Sequence, residues 1–168
     1  NLPMYKRARM GIGYLAQEAS VFRKLSVEDN ILSVLQLTKL SKSEQIKKME
    51  ELLDEFGLNH IRKNRGDLLS GGERRRTEIA RSLATSPKFL LLDEPSLGLS
   101  PLLVEQMFEL IKKISDDGLT VLLVEQNVTQ SLSIADRAYV VEEGSIAISG
   151  LSKDLLKKSD LKKSYLGL

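Results

Sequence analysis

An α/β fold, a parallel sheet with a helical insert, is predicted by three features of the chain. Phe89-Leu90-Leu91-Leu92, closed by Asp93-Glu94, and Thr120-Val121-Leu122-Leu123-Val124, closed by Glu125, each read as a buried parallel strand. The stretch between them repeats apolar residues at helical spacing, which makes a right-handed crossover. Upstream, two further helical patterns interrupt the strand order.

In chain order, Gly11-Ile12-Gly13-Tyr14-Leu15-Ala16 reads as a short strand that leads into polar Gln17-Glu18. Ser26-Val27-Glu28-Asp29 opens a helix with Ile31, Leu32, Val34 and Leu35 as its apolar positions. Ser43-Glu44-Gln45 begins a second, in which Ile46, Met49, Leu52, Leu53 and Phe56 recur before Gly57 stops it. After Leu69, a third helix sets Ile79, Ala80, Leu83 and Ala84 on one face and Arg74, Arg75, Arg76, Glu78 and Arg81 on the other. Pro101 suits the first turn of the crossover helix, whose Leu103, Met107, Leu110, Ile111 and Ile114 line one face until Asp116-Asp117-Gly118 ends it. Beyond the second buried strand come a short helix from Asn127 to Ile134, a strand from Arg137 to Glu142, a turn at Glu143-Gly144 and a returning strand from Ser145 to Ser149. The tail from Lys153 to Leu166 is helical by pattern.

Composition bounds the function. The 168 residues are 42% hydrophobic and 29% charged, enough for one domain with a real core. With no cysteine, disulfides and thiolate metal sites are excluded, and no apolar stretch is long enough to span a bilayer. A net charge of +2 gives no reason to expect a nucleic-acid partner. Lys153, Lys157, Lys158, Lys162 and Lys163 make the tail basic, which reads as a solvated helix face or as a contact with acidic lipid headgroups.

Leu69-Ser70-Gly71-Gly72-Glu73, followed by the apolar strand ending in Asp93-Glu94, resembles the ATP-binding subunits of ABC transporters, whose signature element and Walker B strand have this arrangement. The resemblance implies the P-loop NTPase fold, ATP and Mg²⁺ as cofactors, and a helical subdomain, 26–69, that turns as a unit on ATP binding, followed by the signature helix, Walker B core and C-terminal part, 70–168. Asp93, last on its strand, suits a Mg²⁺ ion held beside the phosphates, and Glu94 suits the orientation or deprotonation of the attacking water. A solvated pair of acids before the turn at Pro95 is the bland alternative. Ser70 with Glu73 is also a plain capping box, but that box has no use for Gly71-Gly72, whereas a close phosphate does. By the resemblance, Ser70, Gly71, Gly72 and Glu73 bind nucleotide held by a second subunit, so a homodimer is implied. Gln17 matches the glutamine that touches metal or attacking water and lies where transmembrane permease subunits dock. Attachment would then be peripheral, on the cytoplasmic face of the inner membrane.

The chain departs from the family pattern in three places. No G-x-x-x-x-G-K-[ST] loop occurs, so the domain is expected to be incomplete and inactive alone. Gln126 stands where the family commonly has a histidine. It can hydrogen-bond a phosphate oxygen but cannot carry an imidazolium charge. Leu97-Gly98-Leu99-Ser100 replaces the usual D-loop, with Ser100 at the aspartate position. His60, the only histidine, is expected to be an ordinary surface or half-buried residue with no catalytic role.

Arg7 to Val27 and Gly71 to Arg76 resemble the ATPases of lipopolysaccharide export, while Ser96 to Pro101 and Val124 to Asn127 resemble those of branched-chain amino acid uptake. The first is the expected cargo class, the second the alternative. A degenerate noncatalytic subunit is a third reading, disfavoured because it has no need of Asp93 and Glu94. A chromosome-maintenance ATPase would carry long coiled coils between Gln17 and Leu69.

Overall fold

The strand β2 (Phe89–Asp93) is the centre of a three-stranded parallel sheet, with β1 (Ile12–Leu15) on one side and β3 (Thr120–Val124) on the other. Register pairs Leu15 with Leu92 and Asp93 with Val124. All three strands therefore end at one rim, where the chain continues into Gln17, Glu94 and Gln126. The computed structural model describes residues 2–157.

The core lies on one face of this sheet. Leu90 and Leu92 are fully buried there with Ile79 and Ala80 of α4 (Gly71–Leu83) and Met107 and Ile111 of α5 (Pro101–Asp116). The same cluster continues into α2 (Val27–Leu35) and α3 (Lys42–Glu55) through Ile31, Leu35, Leu52 and Leu53. Ser26 caps α2, and Ser41 caps α3 with a complete capping box to Glu44, two residues before the expected start at Ser43. Gly57, at φ 61°, ends α3 as the sequence implied. Arg62 then clips the two helices together through Glu28 and Glu50, at 2.9 and 2.6 Å.

Four expectations change. β3 is covered on one face only: Val121 and Leu123 pack on the core, whereas Leu122 is 47% exposed. Tyr14, Leu91 and Leu122 lie in register on that open face. Phe108 joins the buried side of α5, while Leu103 and Leu110 are half-buried. A helix α1 (Met4–Arg9), with no buried residue, precedes β1 and was not expected. Arg75 and Glu78 are buried rather than on a solvated face of α4.

The C-terminal elements form a satellite. Helix α6 (Val128–Ile134) packs through Leu132 on the antiparallel hairpin of β4 (Arg137–Glu142) and β5 (Ser145–Leu151). α7 (Ser152–Leu155) is the first turn of the tail, whose remaining helical pattern, including Lys158, Lys162 and Lys163, lies outside the described residues.

Candidate functional site

Glu94 follows directly on β2 and turns the chain out of the sheet at φ 44°, a left-handed conformation that a side chain disfavours. Its backbone N–H donates to the Val124 carbonyl at 2.9 Å, which extends the ladder by one bond past the strand. The carboxylate is gripped from both flanks. Gln17 Nε2 donates to Oε2 at 3.0 Å and Gln126 Nε2 donates to Oε1 at 2.9 Å. The three residues expected around the reacting phosphate, Glu94 on the water, Gln17 on metal or water and Gln126 on a phosphate oxygen, thus meet in one cluster, each from the end of a different strand.

Asp93 sits half-buried beside them, and the Tyr14 hydroxyl donates to its Oδ2 at 3.3 Å. Partial burial, the Asp93 charge and this hydrogen bond raise the Tyr14 pKa above its ordinary value. Among the described residues no group of three or more His, Cys, Asp or Glu side chains could hold a metal ion. One carboxylate on an open rim still fits Mg²⁺, which keeps waters and takes phosphate oxygens for most of its ligands.

Beneath the carboxylates lies the Arg75 guanidinium, on α4. It donates to the carbonyls of Asp93, Glu94 and Pro95 at 2.9, 3.0 and 3.2 Å, and to that of Ala16 at 2.8 Å. Burial pulls the Arg75 pKa down, and the adjacent Glu78 carboxylate opposes the shift. Glu78 Oε2 accepts from Arg75 at 3.3 Å, while its Oε1 accepts from the backbone N–H groups of Ser20 and Val21 at 2.6 and 2.9 Å. Asn30, wholly buried, accepts from Phe22 N–H at 2.8 Å and donates to the Phe22 and Ser26 carbonyls at 3.1 and 2.9 Å. Glu125 accepts from Ser96 N–H at 2.8 Å and fixes the loop that leads to α5.

The start of α4 is a separate feature. Ser70 is its exposed cap, and Glu73 returns to Ser70 N–H at 2.8 Å and to the Ser70 hydroxyl at 2.6 Å. These bonds, with the nearby Arg76 and His60, lower the Glu73 pKa against the effect of burial. His60 itself is exposed, 3.9 Å from Glu73. The two glycines differ. A Cβ at Gly71 would meet only Leu99 at an ordinary 3.4 Å, but one at Gly72 would stand 2.9 Å from Leu103 Cδ2. Close packing on Leu103 is thus a second demand for glycine at 72, whereas at Gly71 the chain itself makes none. No hydrogen bond among the described residues joins this turn to Asp93, Glu94, Gln17 or Gln126.

A family model described as ABC transporter matches residues 2–97, more than half of the chain. The chain belongs to the ABC transporter family. It is 47% identical over 167 residues to the lipopolysaccharide export system ATP-binding protein LptB of Escherichia coli strain K12, covering 99% of this chain and 69% of that protein. It is 45% identical over 166 residues to a probable ABC transporter ATP-binding protein of Azorhizobium caulinodans, of which it spans 59%. Among solved structures it is similar to cbiO1 from Clostridium perfringens, part of the ABC transporter complex cbiONQ, with a TM-score of 0.84 and 27% identity over 97% of this chain and 66% of that one. Sheet, α4 and α5 thus form the ABC ATPase version of the P-loop NTPase fold.

Arg75, Glu78, Glu125 and Tyr14 were not singled out from sequence. Arg75 had a usable signal: positions 72, 75, 76 and 79 share one stripe of a helix, so a charge at 75 falls among residues facing the core. Glu125 and Tyr14 had none, because an acid after a strand and a tyrosine within one are ordinary.

Proposed function

We propose that this ABC family chain carries the hydrolytic carboxylates and the signature turn of an ATPase subunit, and that its transporter exports lipopolysaccharide. The observation that carries the hydrolytic reading is the clamp on Glu94, both of whose oxygens accept side-chain amides from the flanking strand ends. Such a clamp fixes where a general base stands relative to an incoming water. Asp93 and Gln17 would hold Mg²⁺, and the ion, when bound, supplies positive charge to the phosphoryl oxygens. Glu94 takes the proton of the attacking water. Gln126 serves this step by orienting Glu94, with a phosphate contact requiring its amide to swing away.

Ser70, Gly71, Gly72 and Glu73 are read as the surface offered to ATP on a second copy, since their turn makes no bond to the chain's own carboxylates. In that role the Ser70 hydroxyl would have to leave Glu73. Permease partners, and with them a peripheral place on the inner face of the cytoplasmic membrane, follow from the same reading. The export cargo is supported by the LptB likeness across nearly the whole chain.

The deciding experiment measures Mg²⁺-ATP turnover by the protein as its gene encodes it, by its Glu94→Gln variant, and by the 168 residues alone. Turnover is expected in the first only. Equal turnover in the first two would overturn the role of Glu94, and turnover by the 168 residues alone would overturn the need for a lysine-bearing phosphate loop. For the cargo, the membrane protein that co-purifies from detergent-solubilised membranes should be a lipopolysaccharide exporter; an amino-acid permease would overturn that assignment.

A further inference from the structure

We propose that Arg75 is a positioning residue for hydrolysis: its guanidinium sets the separation between the Glu94 elbow and Gln17, and so keeps the carboxylate and its amide partner in register. The side chain is 8% exposed and spends every N–H direction on a different acceptor. Nε and Nη2 reach the three successive carbonyls of Asp93, Glu94 and Pro95, which bracket the single left-handed residue at the rim. Nη1 reaches the carbonyl of Ala16, the residue before Gln17, and the Glu78 carboxylate. A left-handed, non-glycine residue persists only where its surroundings over-determine it, and three bonds from one rigid planar group do so.

A charge-balancing role would need Glu78 alone. Four of the five contacts go instead to main-chain carbonyls beside the two residues whose side chains meet. The route to Gln126 is different. β3 is laddered to β2, and Glu94 N–H bonds directly to Val124, so the Gln126 contact has its own support. Among the described residues no ladder bond reaches past Leu15 and Leu92 to hold Gln17, which makes Arg75 the tie between the main chains of the two loops. Its removal should therefore cost one amide contact and spare the other.

The functional meaning rests on the ATPase reading of Glu94, but the geometry can be read without nucleotide. In the nucleotide-free protein as its gene encodes it, the side-chain amide resonances of Gln17 and Gln126 are compared by NMR with and without Glu94→Gln, an amide following Glu94 when that substitution moves its resonance. Both amides should follow Glu94 in the parent chain. In Arg75→Lys, which keeps the charge facing Glu78, and in Arg75→Gln, the Gln17 amide should stop following while the Gln126 amide still does. Arg75 is overturned as a positioning residue if Gln17 still follows in both variants, or if both amides are lost together. It is also overturned if neither variant retains amide-exchange protection in β1, β2 and β3, since Arg75 then serves the fold at large. Absence of ATP turnover in the gene-encoded protein would sink the ATPase reading and leave this comparison of amide resonances unchanged.

Discussion

Gln126 Nε2 stands 2.9 Å from Glu94 Oε1, so the residue expected in place of the family's histidine is engaged with the carboxylate rather than turned away from it. Glu94 accepts a second amide on its other oxygen. Converting the carboxylate to an amide leaves one acceptor where there were two, and no group able to take a proton.

Glu94→Gln should therefore lower turnover of the gene-encoded protein by a factor of about 10² to 10⁴, the usual worth of a positioned general base. Its urea midpoint should move little, because the site lies on an open rim. A variant with full turnover would assign the base elsewhere.

Gly71 and Gly72 should part company under mutation. Gly72→Ala pushes a methyl against Leu103 and should cost on the order of 1 kcal/mol, most of it recovered in combination with Leu103→Ala. Gly71→Val should leave the urea midpoint near that of the parent and instead abolish ATP-driven dimerisation, measured by light scattering. Equal destabilisation by both would show that Gly71 too is a packing residue.

Acid should loosen the start of α4 before it disturbs the sheet. The depressed pKa of Glu73 contributes stability that is fully present above about pH 5 and is lost as pH falls through the lowered value. Ser70→Ala should cost about 1 kcal/mol near neutrality and flatten the acid limb of a stability profile. A Ser70→Ala profile parallel to that of the parent would remove this hydrogen bond as the cause.

Asn30→Ala should be among the costlier single changes, at roughly 2 to 3 kcal/mol in urea unfolding, since it strands several buried main-chain groups of the 22–26 loop at once. Loss of less than about 0.5 kcal/mol would mean that water replaces the amide.

Sequence reasoning found what short-range chemistry dictates. Ser26 and Ser70 announce helix starts through their own bonds, whereas the cap at Ser41 lies two residues ahead of the start read at Ser43, and the four apolar residues before Asp93 read as a buried parallel strand. It also placed Gln17, Glu94 and Gln126 at strand ends, from which a parallel register brings them together. It missed what depends on a distant neighbour. Glu78 looks like a surface charge until Ser20 arrives from elsewhere in the chain, and Arg75, although its stripe faces the core, finds its acceptors only when Ala16 and Pro95 are in place. The packing of Gly72 on Leu103 is likewise invisible until α5 is in place. Leu122 looks buried because its neighbours are apolar, although what covers a strand is decided by the layers around it.

The backbone at Glu94 carries a consequence for engineering. A left-handed conformation costs a side chain about 1 to 2 kcal/mol and costs glycine almost nothing. Screens for heat resistance would therefore reward glycine at this position, and, with Glu94 as the proposed base, the survivors would be sturdier proteins with an idle rim. Durability and output compete for the same residue, so any campaign to harden this protein has to hold position 94 fixed.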